Sequence, residues 1–85
     1  MAEQEIGVIQ HFFDRIGVAI ISLTQGELSI GDTIHVKGHT TDASCKVETL
    51  QIEHLKIEKG EIGQAVGTKM PAKVRPQDKV FKITP

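Results

Sequence analysis

Apolar residues recur at every second position along most of the chain and never settle into the three-to-four spacing of a helix. Ile6-Gly7-Val8-Ile9-Gln10-His11-Phe12-Phe13 is apolar with a β-branched bias, and Asp14-Arg15-Ile16-Gly17 after it carries turn chemistry at both ends. Gly17-Val18-Ala19-Ile20-Ile21-Ser22-Leu23 predicts a second strand, and the two runs read as a hairpin. The near-continuous apolarity of the second run predicts cover on both of its faces. Gln25 to Asp32 is punctuation, with Gly26 and Gly31 at turn positions, one or both with positive φ, and Leu28 or Ile30 as a plug. Thr33 to His39 alternates: Ile34 and Val36 face inward, while Thr33, His35, Lys37 and His39 face out.

Thr40 to Ser44 is a polar turn, and Cys45 to His54 a long strand whose apolar phase slips from Cys45 and Val47 to Leu50 and Ile52. A one-residue slip marks a bulge or a bend. Leu55 to Glu58 is short, Ile62 to Met70 is a strand ended by Pro71, and Asp78 to Ile83 is the last. Short strands with regular turns and no helical stripe predict an all-β fold: a small closed, mostly antiparallel β-barrel of six to seven strands. Closure is favoured because it removes exposed edges. The predicted core comprises Ile6 or Ile9, Val18, Ile20, Leu28, Ile34, Val36, Val47, Ile52, Val66 and Phe81.

Eighty-five residues make a single domain over 1–85, with an ordered core from about 5 to 84. No apolar run approaches the ~20 residues of a membrane span, so no membrane partner is expected. Glu3 and Glu5 sit where a secretory leader would be basic, and a single cysteine excludes an internal disulfide framework. Both point to a reducing, cytoplasmic setting. Ten basic and eleven acidic residues leave a net charge of -1, unlike a dedicated nucleic-acid binder. With no Trp or Tyr, three Phe are the only aromatic platforms.

Four segments carry a family resemblance. Gly26-Glu27-Leu28-Ser29-Ile30-Gly31-Asp32-Thr33-Ile34-His35-Val36 resembles a segment of the second domain of translational GTPases, elongation factor Tu and its relatives. Val47-Glu48-Thr49-Leu50-Gln51-Ile52, the glycines 63 and 67 around Ala65-Val66, and Pro76-Gln77-Asp78-Lys79-Val80 follow in the order of that barrel, with Gln77 where glycine is usual. Asp14-Arg15-Ile16-Gly17-Val18-Ala19, Lys37-Gly38-His39-Thr40-Thr41-Asp42 and Gln51-Ile52-Glu53-His54 resemble more closely the version at the carboxyl end of peptidase U32 family proteins. The resemblance implies a translation-factor domain 2 type of barrel. In the GTPases such a barrel contacts RNA or the ribosome; with the peptidases it implies an accessory or docking role. A fold alone does not settle function; the leading expectation is a non-enzymatic translation-factor-type module binding RNA, the ribosome or a protein partner, with the peptidase docking role as the alternative.

The residues themselves give little sign of catalysis. Gly63-Gln64-Ala65-Val66-Gly67-Thr68-Lys69 is one residue short of a phosphate loop, with its Thr and Lys reversed and no helix after it. His35 and His39 share a face but stand roughly 13 Å apart along a strand, too far for one metal ion. Cys45 is in phase with inward Val47 and reads as a small hydrophobe. No cofactor, metal or catalytic group is expected, and the chain reads as non-enzymatic. For binding, adjacent Phe12 and Phe13 point to opposite faces. The outward one, beside His11 and Arg15, resembles a stacking platform for single strands. Lys37, His39 and Lys46 form a second expected cationic group. His11, Phe13, Arg15, Lys37, His39 and Lys46 are therefore the expected partner surface, for RNA, the ribosome or a protein domain.

Overall fold

The computed structural model describes residues 2–84. β1 spans Ala2–Phe13, β2 Val18–Leu23, β3 Leu28–Ser29, β4 Thr33–Lys37, β5 Asp42–Lys46, β6 Leu50–Ile52, β7 Leu55–Ile57, β8 Lys59–Gly60, β9 Ala65–Lys69 and β10 Lys79–Thr84. Eight strands form one antiparallel sheet in the order β5-β4-β10-β1-β2-β9-β6-β7, and β3 pairs with β8 in a separate two-stranded sheet. The all-β, antiparallel reading holds. Closure does not: among the described residues the terminal strands β5 and β7 do not pair, so the eight-stranded sheet is open, and the strands outnumber the expected six or seven. The long strand expected over 45–54 breaks into two. Val47 N–H donates to Asp32 O and Val47 O accepts from Gly31 N–H, both at 2.8 Å, so the backbone at the phase slip is taken by the Gly31 turn. Cys45 and Lys46 join β5, which extends into the expected turn over 40–44, and β6, three residues, is what remains of the run beyond that corner.

The core is built from Ile6, Ile9, Ala19, Ile21, Leu23, Leu28, Ile34, Val36, Val47, Leu50, Val66, Met70, Val74 and Val80. Leu28 plugs it, and Gly31 carries a φ of 98°, which glycine tolerates and a side chain resists. Two strands sit in the opposite phase to expectation. Val36 pairs with Val80 and His35 with Phe81, so Val80 turns inward and Phe81 outward. In β2, Phe12 pairs with Ala19, so Ala19, Ile21 and Leu23 fill the core and Val18 and Ile20 face out. Both faces of β2 are apolar, so its own sequence does not fix its phase. A bulge between Ile9 and His11 in β1 fixes it instead. Ile52 lies half-buried against the core rather than within it.

The β9–β10 connection closes on a strained turn. Asp78, buried, accepts from Arg75 N–H at 2.9 Å through its carboxylate, and Gln77 N–H donates to Ile9 O at 2.8 Å. Gln77 stands at φ 77°, where a side chain costs about 1 kcal/mol or more.

Outside the sheet, His35 links three strands. Its Nδ1 meets Glu3 Oε2 of β1 at 2.7 Å, and its Nε2 meets Asp42 Oδ1 of β5. Glu3 Oε1 also takes Lys37 Nζ at 3.2 Å. Two carboxylate acceptors on one ring favour the doubly protonated imidazolium. Asp42 first, then Glu3, raise the His35 pKa above its ordinary value, and His35 in turn lowers those of both acids.

Two measurements follow. Gln77→Gly removes the strain and loosens the unfolded chain slightly, so it is expected to raise stability by about 0.5–1 kcal/mol; a lower melting temperature refutes strain at this turn. The raised His35 pKa makes its contribution complete below about 6.5 and lost as pH climbs through the folded value. The lowered Glu3 and Asp42 values remove their share only in strong acid. Thermal stability is therefore expected to be greatest in mild acid and to fall as pH rises through the raised His35 value. His35→Gln should flatten that fall, and an equal fall in both proteins excludes His35 as its source.

Candidate functional site

The outward half of β2 is the most distinctive surface. Val18 and Ile20 face the same side as Gly67 and Lys69 of β9, with which they pair, and Gln51 of β6 lies opposite Gly67. Gly67 has no side chain, so the sheet forms a floor. A Cβ there would meet Gln51 Cγ at 3.2 Å and the methyls of Ile20 and Val18 at 3.4 Å. Phe13 and Ile16 of the β1–β2 turn stand over one end, 45% and 58% exposed. The result is a groove of about 330 Å³ with an apolar floor and head, rimmed by Gln51, Glu53 and His54. Glu53 and His54 form the two-residue turn between β6 and β7, at φ 49° and 68°. Such a turn normally takes Asn or Gly. Apolar centre and polar rim are the anatomy of a protein interface.

The expected partner residues divide into separate groups. His11 and Phe13 do meet, edge to face, with ring centroids 4.4 Å apart, and Arg15 is exposed on the turn beside them. Phe12 is the inward member of the pair and packs on the core. Lys37 is not part of this group. It pairs with Lys79, which pairs with Val8, and its ammonium lies 5.6 Å from the Phe81 ring centre and on Glu3. Nor do Lys37, His39 and Lys46 make one cluster. Lys37 faces Asp42 at the loop end of the β4–β5 hairpin and Lys46 faces Thr33 at the other, roughly 13 Å away. His39 borders a shallow recess with Arg75 and Asp78. Cys45 is half-buried with Sγ 3.6 Å from Met70 Sδ, and burial raises its thiol pKa, which disfavours the reactive thiolate.

Val18, Ile20 and Gly67 were not among the expected site residues, because apolar strand residues read as core. The signal was present all the same in the unbroken run Val18-Ala19-Ile20-Ile21.

No protein-family model matches the chain. Two chains named collagenase, both from Porphyromonas gingivalis, are each 40% identical over 73 residues, which is 85% of this chain and 20% and 18% of theirs. An uncharacterized protease of Methanocaldococcus jannaschii is 38% identical over 80 residues, 93% of this chain and 19% of its own. The chain thus spans about a fifth of the length of these relatives. Among solved structures, the C-terminal domain of a Geobacillus thermoleovorans protein assigned to the U32 peptidases superposes with a TM-score of 0.87. It covers 95% of this chain and 93% of that one at 15% identity, a likeness of fold. Of the two resemblances in the sequence, these relatives fall on the peptidase side. The chain is similar in sequence to a fifth of collagenase and protease chains, and it shares the fold of a U32 peptidase C-terminal domain.

Proposed function

We propose that this domain is a non-catalytic docking module of U32 peptidase type, which seats against the remainder of such an enzyme through the groove over Gly67. The observation that carries the reading is that β2 is apolar on both faces while the sheet buries only one. Ala19, Ile21 and Leu23 are in the core, and Val18, Ile20, Phe13 and Ile16 line the open groove. Strands apolar on both faces are characteristic of sheets covered on both sides. The similarity to one fifth of longer protease chains supplies a natural cover, the four fifths absent here. Catalysis belongs to that part. Here Asp32 and Asp78 are engaged in turns, accepting from Ser29 N–H and Arg75 N–H.

The test is a titration of the isotope-labelled 85-residue chain with the remaining segment of the Porphyromonas gingivalis collagenase, followed by NMR. Shift changes should centre on Phe13, Ile16, Val18, Ile20 and Gly67. Ile16→Glu should weaken association about tenfold, the loss of one buried aliphatic side chain. Its melting temperature should be unchanged, since Ile16 is already exposed. Shift changes elsewhere, or binding indifferent to Ile16→Glu, overturn the docking surface. The same spectra with a single-stranded RNA at low salt separate the translation-factor reading. Salt-sensitive changes at His11, Phe13 and Arg15 that vanish in Arg15→Ala would transfer the assignment to RNA.

A further inference from the structure

Strand β5 ends the eight-stranded sheet, and its outer edge carries unpaired backbone. Two bonds fix the phase of the β4–β5 ladder: Gly38 N–H to Thr41 O and Val47 N–H to Asp32 O, both 2.8 Å. Bonded and non-bonded pairs alternate in an antiparallel ladder. Ala43 and Cys45 therefore commit their backbone groups to Val36 and Ile34, and the N–H and C=O of Asp42, Ser44 and Lys46 point away from β4. Among the described residues no further hydrogen bond engages those six groups. All three side chains are exposed, and inward Ala43 and Cys45 are only half-buried. A groove of about 370 Å³ lies alongside, lined by Cys45, Lys46, Glu48 and Met70 among others. Edges of this kind accept a further strand unless something blocks them.

We propose that β5 pairs, antiparallel, with β5 of a second copy of this chain about a two-fold axis at Ser44. The charges select the partner and the register. With Ser44 opposite Ser44 of the copy, Asp42 faces Lys46 and Lys46 faces Asp42, and all six free backbone groups are bonded. Shifting the axis to Asp42 or to Lys46 sets like charges opposite one another, as does parallel in-register pairing, and each loses stability. The register of greatest overlap is thus also the one that matches charge. Lys46 makes no ion pair among the described residues, and Asp42 bonds His35 through Oδ1, which leaves Oδ2 for the incoming ammonium. The surface shares no residue with the groove over Gly67, so either assignment stands without the other.

A five-residue edge gives a small interface of the weak, transient class, so the association is read by sedimentation equilibrium of the 85-residue chain up to about 1 mM. A monomer–dimer equilibrium is expected. Lys46→Asp should weaken it about tenfold, because each reversal acts twice across the axis. Asp42→Lys combined with Lys46→Asp should restore it. For Ser44→Cys made with Cys45→Ala, the two introduced thiols face each other with Cα atoms about 5.5 Å apart, within disulfide range. Mild oxidation should give a covalent dimer. The native chain should not cross-link, since its two Cys45 would stand roughly 8 Å apart, diagonal to each other. Circular dichroism checks that each variant is folded. A chain monomeric throughout, or a dimer indifferent to Lys46→Asp, overturns the proposal.

Discussion

The fold depends on how β1 serves two neighbours at once. Its twelve residues pair with β10 over the first half and with β2 over the second, and one strand with strict alternation would present the wrong face to one of them. Two register shifts, between Glu5 and Gly7 and between Ile9 and His11, solve this. They place Ile6, Ile9 and Phe12 on the inner side at intervals of three rather than two, and they bend the sheet around its core. Every other phase follows. Phe12 inside sets Ala19 inside, and that sends Val18 and Ile20 to the surface.

The same constraint made part of the structure legible and hid the rest. Strands β4 and β10 alternate, and in β4 Ile34 and Val36 could be assigned from sequence because their polar neighbours leave one choice. Leu28 as plug and Gly31 at positive φ were readable for a similar reason, since glycine and an isolated apolar residue each have few roles in a polar turn. In β2 two apolar faces compete, and the bulge that decides between them lies in another strand, at Gln10, where nothing in the residue marks it. In β10, Phe81 is the larger apolar side chain, yet pairing with His35 sends it outward. Closure failed as an expectation because it relied on one long strand over 45–54: that run is interrupted at Val47, whose backbone bonds Gly31 and Asp32, and the terminal strands β5 and β7 are left unpaired with each other.

The expected site was read in the same partial way. His11 with Phe13 was legible because a turn keeps sequence neighbours together. The grouping of Lys37 with Lys46 was not, because a hairpin carries residues nine apart in sequence to its opposite ends. Lys37 also has a structural task, on Glu3 and over Phe81, that composition cannot show. A basic side chain already held by an acid and an aromatic ring is a poor candidate for a phosphate.

Several of the charged side chains in this domain are turned toward its own backbone and toward other strands. His35 ties β1 to β5, Asp32 and Asp78 cap turns, and Lys82 reaches Asp32 at 3.6 Å. The two proposed surfaces instead rely on apolar area over Gly67 and open backbone along β5. Both are generic attractors, and on the proposed reading the residues around them would supply the selectivity. Gln51, Glu53 and His54 rim the first, while Asp42 and Lys46 bracket the second with opposite charges. Such a surface suits a module whose partner is held at high local concentration, within the same chain or assembly, because weak contacts gain strongly from effective concentration. A domain that must find a dilute ligand on its own needs more buried anchors than one Phe and one Ile at a turn can provide.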